Sequence, residues 1–188
     1  MRVIAGTRRS LPLKTLPGRD TRPTADRIKE TLFNMMQTWV PESRFLDLFA
    51  GSGAIGIEAL SRGADYACFV DSSRKAVRVI EDNLAFTRFT GQARVLTMDA
   101  EAALAVLDRE EPFDIVYLDP PYRQGLERTI LERLCSSRCV HRDTLYIVEA
   151  ALETDMDWIG ELGYSCIKSR EYRTNKHLFL IKNGDKEI

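Results

Sequence analysis

The sequence has no apolar run approaching the ~18 residues that a membrane-spanning helix requires. The segment from Met1 to Leu13 is basic and never becomes a sustained apolar stretch. No leader or anchor is read from it, and the expected location is cytoplasmic. Histidine is scarce, with two residues. The four cysteines, Cys68, Cys135, Cys139 and Cys166, form no Cys-x-x-Cys pair and have no histidine at ligand spacing. That argues against a zinc site or a disulfide framework, and no metal is expected. Cys135 and Cys139 stand one helical turn apart and read as two small buried side chains. Internal repeats and low-complexity tracts are absent, which excludes a repeat array. Net charge is -1, from 27 Lys and Arg against 28 Asp and Glu, so no overall excess of one sign points to a partner.

What is present is a chain of 188 residues. A chain of that size forms one compact domain, expected as a monomer, and buries roughly 70% of its unfolded surface without staples. Its charge is unevenly placed. Between Met1 and Glu30, the cations Arg2, Arg8, Arg9, Lys14, Arg19, Arg22, Arg27 and Lys29 outnumber Asp20, Asp26 and Glu30 by five, leaving -6 on the remainder. A basic arm on an acidic body suits polyanion binding at that end; a solvated tail has the same composition, and both readings stay open.

Val3-Ile4-Ala5 and Leu11-Pro12-Leu13 flank Gly6-Thr7-Arg8-Arg9-Ser10, predicting a small hairpin with Pro12 confined to an edge. Pro17-Gly18 marks a turn. Thr24 can cap a helix whose apolar positions Ile28, Leu32, Met35, Met36 and Trp39 share a face, leaving Arg27, Lys29, Glu30 and Asn34 on others. That helix should stop before Pro41. We therefore divide the chain into a basic arm, residues 1–22, and a main domain, residues 23–188.

From Arg44 onward short apolar runs alternate with helical patterns, which specifies an α/β fold with a parallel sheet and crossover helices. The strands read as Phe45 to Phe49, Tyr66 to Val70, Arg94 to Thr97, Asp114 to Leu118 and Leu145 to Glu149, with helices beginning near Gly53, Ser73, Ala100 and Leu126. Tyr164 to Lys168 and His177 to Lys182 are joined by only a short polar segment, so they can pair only antiparallel. The expectation is a doubly wound, mostly parallel seven-stranded sheet ending in an antiparallel hairpin.

Phe45-Leu46-Asp47-Leu48-Phe49-Ala50-Gly51-Ser52-Gly53-Ala54-Ile55-Gly56 is a strand entering a glycine-rich turn and a helix. Gly51, Gly53 and Gly56 match G-x-G-x-x-G, and Asp71 follows Gly51 by 20 residues at the end of the next strand. This is also the nicotinamide-dinucleotide fingerprint, so the motif by itself leaves a dehydrogenase open. Asp47 discriminates. A carboxylate just before the turn repels a pyrophosphate at the helix N-terminus but suits the ammonium end of a methionine moiety. Asp99, ending the third strand, can accept from an adenine amino group and can equally cap the helix beginning at Ala100. All three acids end consecutive strands and converge on the crevice where open α/β sheets bind ligands.

The fourth strand ends in Asp119-Pro120-Pro121-Tyr122. Two prolines stop the strand and hold the backbone rigid, so the Asp119 carboxylate and the Pro120 carbonyl can face one amino group and accept both its protons. An exocyclic base amine is a poor nucleophile because its lone pair is delocalised into the ring. Two acceptors free that pair for in-line attack on a sulfonium methyl, and Tyr122 offers a face for the base to stack on.

Asp47-Leu48-Phe49-Ala50-Gly51-Ser52-Gly53 together with this tetrad resembles the Rossmann-like class I amino-methyltransferases, whose seven-stranded sheet also ends in an antiparallel hairpin. More narrowly, Thr21-Arg22-Pro23-Thr24-Ala25-Asp26-Arg27-Ile28-Lys29-Glu30-Thr31-Leu32-Phe33-Asn34 resembles the bacterial RsmD family, guanine-N2 methyltransferases of small-subunit (16S) ribosomal RNA. The resemblance runs from about Arg2 to Lys182. It implies S-adenosylmethionine as cofactor, with Asp47, Ala50, Gly51 and Gly53 at its methionine end, Asp71 and Ser72 at the ribose, and Asp99 and Ala100 at the adenine. It also implies ribosomal RNA or the small subunit as partner, held by Arg8, Arg9, Arg22, Thr24 and Arg27, with a flipped guanine against Asp119, Pro120, Pro121 and Tyr122. The segment Arg173-Thr174-Asn175-Lys176 departs from the family pattern. Two other readings use the same residues. One is adenine-N6 or cytosine-N4 methylation of DNA, or of a protein amide; the DNA enzymes usually carry a recognition domain for which this length leaves no room. The other is an RNA-binding assembly factor without turnover, which would have no need of both loop and tetrad.

Overall fold

The computed structural model describes residues 1–16, 23–122 and 124–184; the expected Pro17-Gly18 turn and Arg22 lie outside them, as does the Thr24 side chain. Seven strands form one sheet: β1 (Arg44–Asp47), β2 (Tyr66–Val70), β3 (Ala93–Leu96), β4 (Phe113–Leu118), β5 (Val140–Ala151), β6 (Tyr164–Glu171) and β7 (Asn175–Lys182). Their spatial order is β3-β2-β1-β4-β5-β7-β6. The first five run parallel, and β7 inserts antiparallel between β5 and β6. Helices α1 (Pro23–Met35), α2 (Ala54–Ser61), α3 (Arg74–Thr87), α4 (Ala100–Leu107) and α5 (Leu126–Ser136) complete the fold. This is the expected doubly wound architecture. The strand order reverses between β1 and β4, which opens a crevice at the carboxyl ends of those strands.

Successive strand residues point to opposite faces, and the two cores follow that rule. Leu46, Cys68, Val116 and Val148 face the α4 and α5 side, while Phe45, Phe69, Ile115 and Ile147 face α1, α2 and α3. Each fully buried side chain of this kind contributes about 1.5–3 kcal/mol. The same parity sets Asp47, Tyr117, Glu149 and His177 in a row on the α1 side, because Asp47 pairs with Tyr117, Tyr117 with Ile147, and Glu149 with His177.

The described part of the arm, residues 1–16, is not a solvated tail. Val3 N–H donates to Leu11 O at 2.9 Å and Leu13 N–H to Met1 O at 3.0 Å, closing a minimal hairpin with a single Arg2–Pro12 bridge. Val3 and Leu13 are buried in the same core as Leu32 and Phe45. Lys29, expected on an outer face of α1, is buried at 3% exposure against fully buried Glu58 of α2, with Nζ 3.1 Å from Oε2. Glu58 supplies the counter-charge, and Arg2 O an acceptor at 2.7 Å, for the inward-turned Lys29 ammonium. Trp39 is a second correction: α1 ends at Met35, which leaves Trp39 in the following turns and 40% exposed. Cys135, expected buried, is exposed; it ends α5 on the solvent side, whereas Cys139 lies beyond the helix in the core. Among the described residues no helix is long and apolar enough to cross a membrane.

Candidate active site

The glycine loop is built by two constraints. Gly53 takes φ +76°, a left-handed conformation that side chains rarely adopt, and turns the chain from β1 into α2. Gly56 permits close approach: a Cβ there would lie 2.3 Å from Cε1 of Phe69 on β2. Asp71 then locks the loop, accepting from Gly51 N–H at 2.8 Å through Oδ2 and from Ser73 N–H at 2.8 Å through Oδ1. Each oxygen keeps a lone pair for a hydroxyl ligand. Asp99 caps α4, its Oδ1 accepting from Ala102 N–H at 2.8 Å.

Two chambers open at the carboxyl edge of the sheet. The larger, of about 670 Å³, is lined by Gly51, Asp71, Ser72, Asp99 and Ala100 on one wall and by Asp119, Pro120, Pro121 and Tyr122 on the other. The smaller, of about 230 Å³, lies under α1 and is lined by Asp47, Ala50, Lys29 and His177 among others. Phe49, Asp119 and Glu149 border both. The combined space falls within the ~300–1,000 Å³ range of small-molecule sites.

Asp47 is the electrostatic anomaly of the smaller chamber. It is 1% exposed, and neither carboxylate oxygen has a hydrogen-bond partner among the described residues. Burial pushes its carboxyl up to about 7, with nearby Asp71 adding to the rise and the Gly56 and Phe49 amides opposing it. A buried carboxylate with, among the described residues, only these two amides turned toward it, and neither in close hydrogen-bond geometry, is the feature that an ammonium ligand satisfies. Burial likewise lowers the Lys29 ammonium, against the stabilising charge of Glu58.

Sequence reasoning and structure meet at most of the site. Asp47, Ala50, Gly51, Asp71, Ser72, Asp99, Ala100 and Asp119 to Tyr122 converge on the chambers, while Gly53 shapes the loop without lining either. The basic residues do not converge. Helices α2 and α3 start at the crevice and end at the opposite edge of the sheet, and Arg8 sits at those far ends: its N–H donates to Ser61 Oγ at 3.0 Å and its Nε to Thr87 O at 2.8 Å. Its guanidinium also lies over the Phe89 ring, so Arg8 fastens the arm and does not reach the crevice. Exposed Arg9 is beside it, whereas exposed Arg27 is flanked in sequence by Ile28 of the smaller chamber's wall. Arg22 and the Thr24 side chain lie outside the described residues. Residues missed from sequence are Glu149, Tyr117, Asn175 and His177: the Glu149 carboxylate accepts from Tyr117 Oη at 2.7 Å and pairs with His177 Nε2 at 2.9 Å. A lone acid closing the apolar run Leu145 to Val148 was the signal.

Known proteins are similar to this chain in sequence and fold. The family described as conserved hypothetical protein 95 matches residues 1–181. YlbH of Bacillus subtilis (strain 168) is 40% identical over 164 residues, covering 86% of this chain and 89% of that protein. Ribosomal RNA small subunit methyltransferase D of Escherichia coli (strain K12) is 38% identical over 158 residues, covering 83% of this chain and 77% of that protein. The solved structure of yhhF from Escherichia coli superposes with a TM-score of 0.84 at 31% identity, covering 97% of this chain and 98% of that one. Matched by that family over residues 1–181 and by these relatives at 38–40% identity over most of both chains, this chain belongs to the conserved hypothetical protein 95 family, the RsmD family of methyltransferases.

Proposed function

We propose that this chain transfers a methyl group from S-adenosylmethionine to the exocyclic N2 amine of a guanine in small-subunit (16S) ribosomal RNA. The observation that carries the reading is the Asp119-Pro120-Pro121-Tyr122 turn, which forms one wall of the larger chamber opposite Asp71 and Asp99. Support for ribosomal RNA as the substrate comes from the relatives named small-subunit rRNA methyltransferase D.

The residues fit the cofactor. Asp47 would take its ammonium, Asp71 and Ser72 its ribose, and Asp99 and Ala100 its adenine. When bound, S-adenosylmethionine supplies a methyl group made electrophilic by a sulfonium. Asp119 and the Pro120 carbonyl accept the two N–H bonds of the target amine and release its lone pair, and Asp119 is placed to take the proton after transfer. Tyr122, 43% exposed, offers its ring to the base, a contact worth about 1–3 kcal/mol. Extruding that base costs a few kcal/mol, least from a loop, which makes a hairpin loop the fitting target. Residues 1–22 act as an arm fastened to the domain of residues 23–188, in a cytoplasmic, monomeric enzyme.

The decisive experiment supplies isotopically labelled methyl on S-adenosylmethionine with small-subunit rRNA and identifies labelled nucleosides by mass spectrometry. N2-methylguanosine is expected. Label in N6-methyladenosine or N4-methylcytidine, or none at all, would overturn the assignment.

Two further outcomes follow. Only ionised Asp47 attracts an ammonium, and with its carboxyl pushed up to about 7 the ionised fraction falls as pH drops through that value. Affinity for S-adenosylhomocysteine, which keeps the ammonium, should be about tenfold weaker at pH 6 than at pH 8. Calorimetry on Asp47→Asn should give a flat profile; an equal slope in that variant would remove Asp47 from the role. For RNA, Arg27→Glu on α1, the helix that covers the smaller chamber, should weaken binding about tenfold and reduce the slope of affinity against salt, while Arg9→Glu at the far edge changes it less than about twofold. A filter assay that ranks them in the reverse order would return RNA contact to the far edge.

A further inference from the structure

The reaction derived above makes no use of Glu149, yet the fold sets its carboxylate, 16% exposed, at the junction of both chambers. Its Oε1 accepts from Asn175 Nδ2 at 2.5 Å and from the Tyr122 hydroxyl at 3.4 Å. Its Oε2 accepts from the Tyr117 hydroxyl at 2.7 Å and faces His177 Nε2 at 2.9 Å. Four donors account for the lone pairs of a carboxylate. Burial pushes the Glu149 carboxyl up, but the bonds from His177, Tyr117 and Asn175 outweigh it and hold the group below its usual range, ionised. A largely desolvated anion is a poor way to stabilise a fold compared with apolar packing, so a network of this kind at the chamber wall calls for a use. Three of its donors come from the buried ends of β4 and β7, which are rigid. The fourth, Tyr122, belongs to the tetrad and is 43% exposed. Its hydroxyl contact with Glu149 tethers the ring to the sheet, and the long 3.4 Å separation leaves it able to tighten when a base arrives.

Resting on the reading of the tetrad given above, we propose that Glu149 is a positioning residue for methyl transfer: through Tyr122 it sets the plane on which the target base stacks, and so the approach of the amine to Asp119. The departing segment Arg173 to Lys176 has its place here, because Asn175 is one of the donors that fix the Glu149 carboxylate.

Glu149→Gln keeps the shape and turns one acceptor oxygen into a donor, which meets a donor on whichever side it lies. Methyl transfer to rRNA, S-adenosylhomocysteine binding by calorimetry and thermal midpoint are measured together. The expected result is a kcat lowered about tenfold or more, with RNA KM and S-adenosylhomocysteine affinity within about threefold of wild type. Tyr122→Phe keeps the ring and removes the tether; it should lower kcat about fivefold, and adding it to Glu149→Gln should change nothing further, because both remove the same link. Wild-type kcat in Glu149→Gln, a parallel loss of cofactor affinity, or multiplying losses in the double variant would overturn the proposal. Should Glu149→Gln fail to fold, Tyr122→Phe decides: unchanged kcat overturns the tether, and a loss of about threefold or more at unchanged RNA KM supports it. A wild-type enzyme that labels a base other than guanine fails the functional reading, and the comparison of variants then stands on that base; an inactive wild type ends both.

Discussion

Replacing Asp119 with alanine is expected to lower methyl transfer by about 10³-fold, with cofactor affinity changed by less than about threefold. The size follows from the nucleophile. An amine conjugated with a purine ring has little free lone-pair density, and on the proposed reading the turn would supply two acceptors to localise it, of which one is the Asp119 carboxylate. Its loss leaves only the Pro120 carbonyl, and a developing cation with no anion of the tetrad beside it. Asp119→Asn keeps one carbonyl acceptor and loses the charge, so it should fall between alanine and wild type, about tenfold down. Single-turnover transfer of labelled methyl, with calorimetry against S-adenosylhomocysteine, separates chemistry from binding. Alanine activity within about tenfold of wild type would remove Asp119 from the chemistry, and an equal loss of cofactor affinity would reassign it to cofactor binding.

The second large effect concerns stability. Glu58 is fully buried, and its carboxylate accepts from Ile4 N–H at 2.8 Å, Ala5 N–H at 3.0 Å, Arg62 Nε at 2.8 Å and Lys29 Nζ at 3.1 Å. One side chain therefore joins the arm, α1 and α2. Glu58→Ala strands the Lys29 ammonium at 3% exposure and orphans two backbone amides. The expected loss is about 3–5 kcal/mol, the usual cost of removing one partner of a buried pair. Urea unfolding should show the midpoint falling at nearly constant slope, and hydrogen exchange at Ile4 and Ala5 should accelerate beyond that of the sheet. Glu58→Leu combined with Lys29→Met, which removes both charges, should recover most of the loss. A cost below about 1 kcal/mol for Glu58→Ala would show that water replaces the carboxylate and that the arm is held by its other contacts, buried Val3 and Leu13 and the Arg8 hydrogen bonds.

Much of the fold and site was legible because it is local. The spacing of Gly51, Gly53, Gly56 and Asp71, the acid ending each of the first four strands, and the paired prolines each state a backbone requirement within a few residues. The alternation of short apolar runs with helical periods sets the order of elements, and the parallel sheet follows from the crossovers. Misreadings fell where a residue's surroundings come from distant sequence. Lys29 looks like a solvated cation on α1 until Glu58, 29 positions on, is packed against it. Trp39 continues the helical period, yet α1 ends at Met35. Arg8 has the composition of an RNA contact, while its hydrogen bonds to the ends of α2 and α3 hold it at the far edge.

By itself, then, the sequence determined the order of strands and helices, the glycine loop and the paired-proline turn, since propensity, turn chemistry and hydrophobic period act over neighbouring residues. Only the tertiary structure decided that Glu149 faces His177 and Tyr122, that Asp47 is buried, and that Arg8 is carried to the far edge of the sheet. Those outcomes depend on strand register, on desolvation and on the edge of the sheet to which a side chain is carried, and each arises only when segments remote in the chain are packed together.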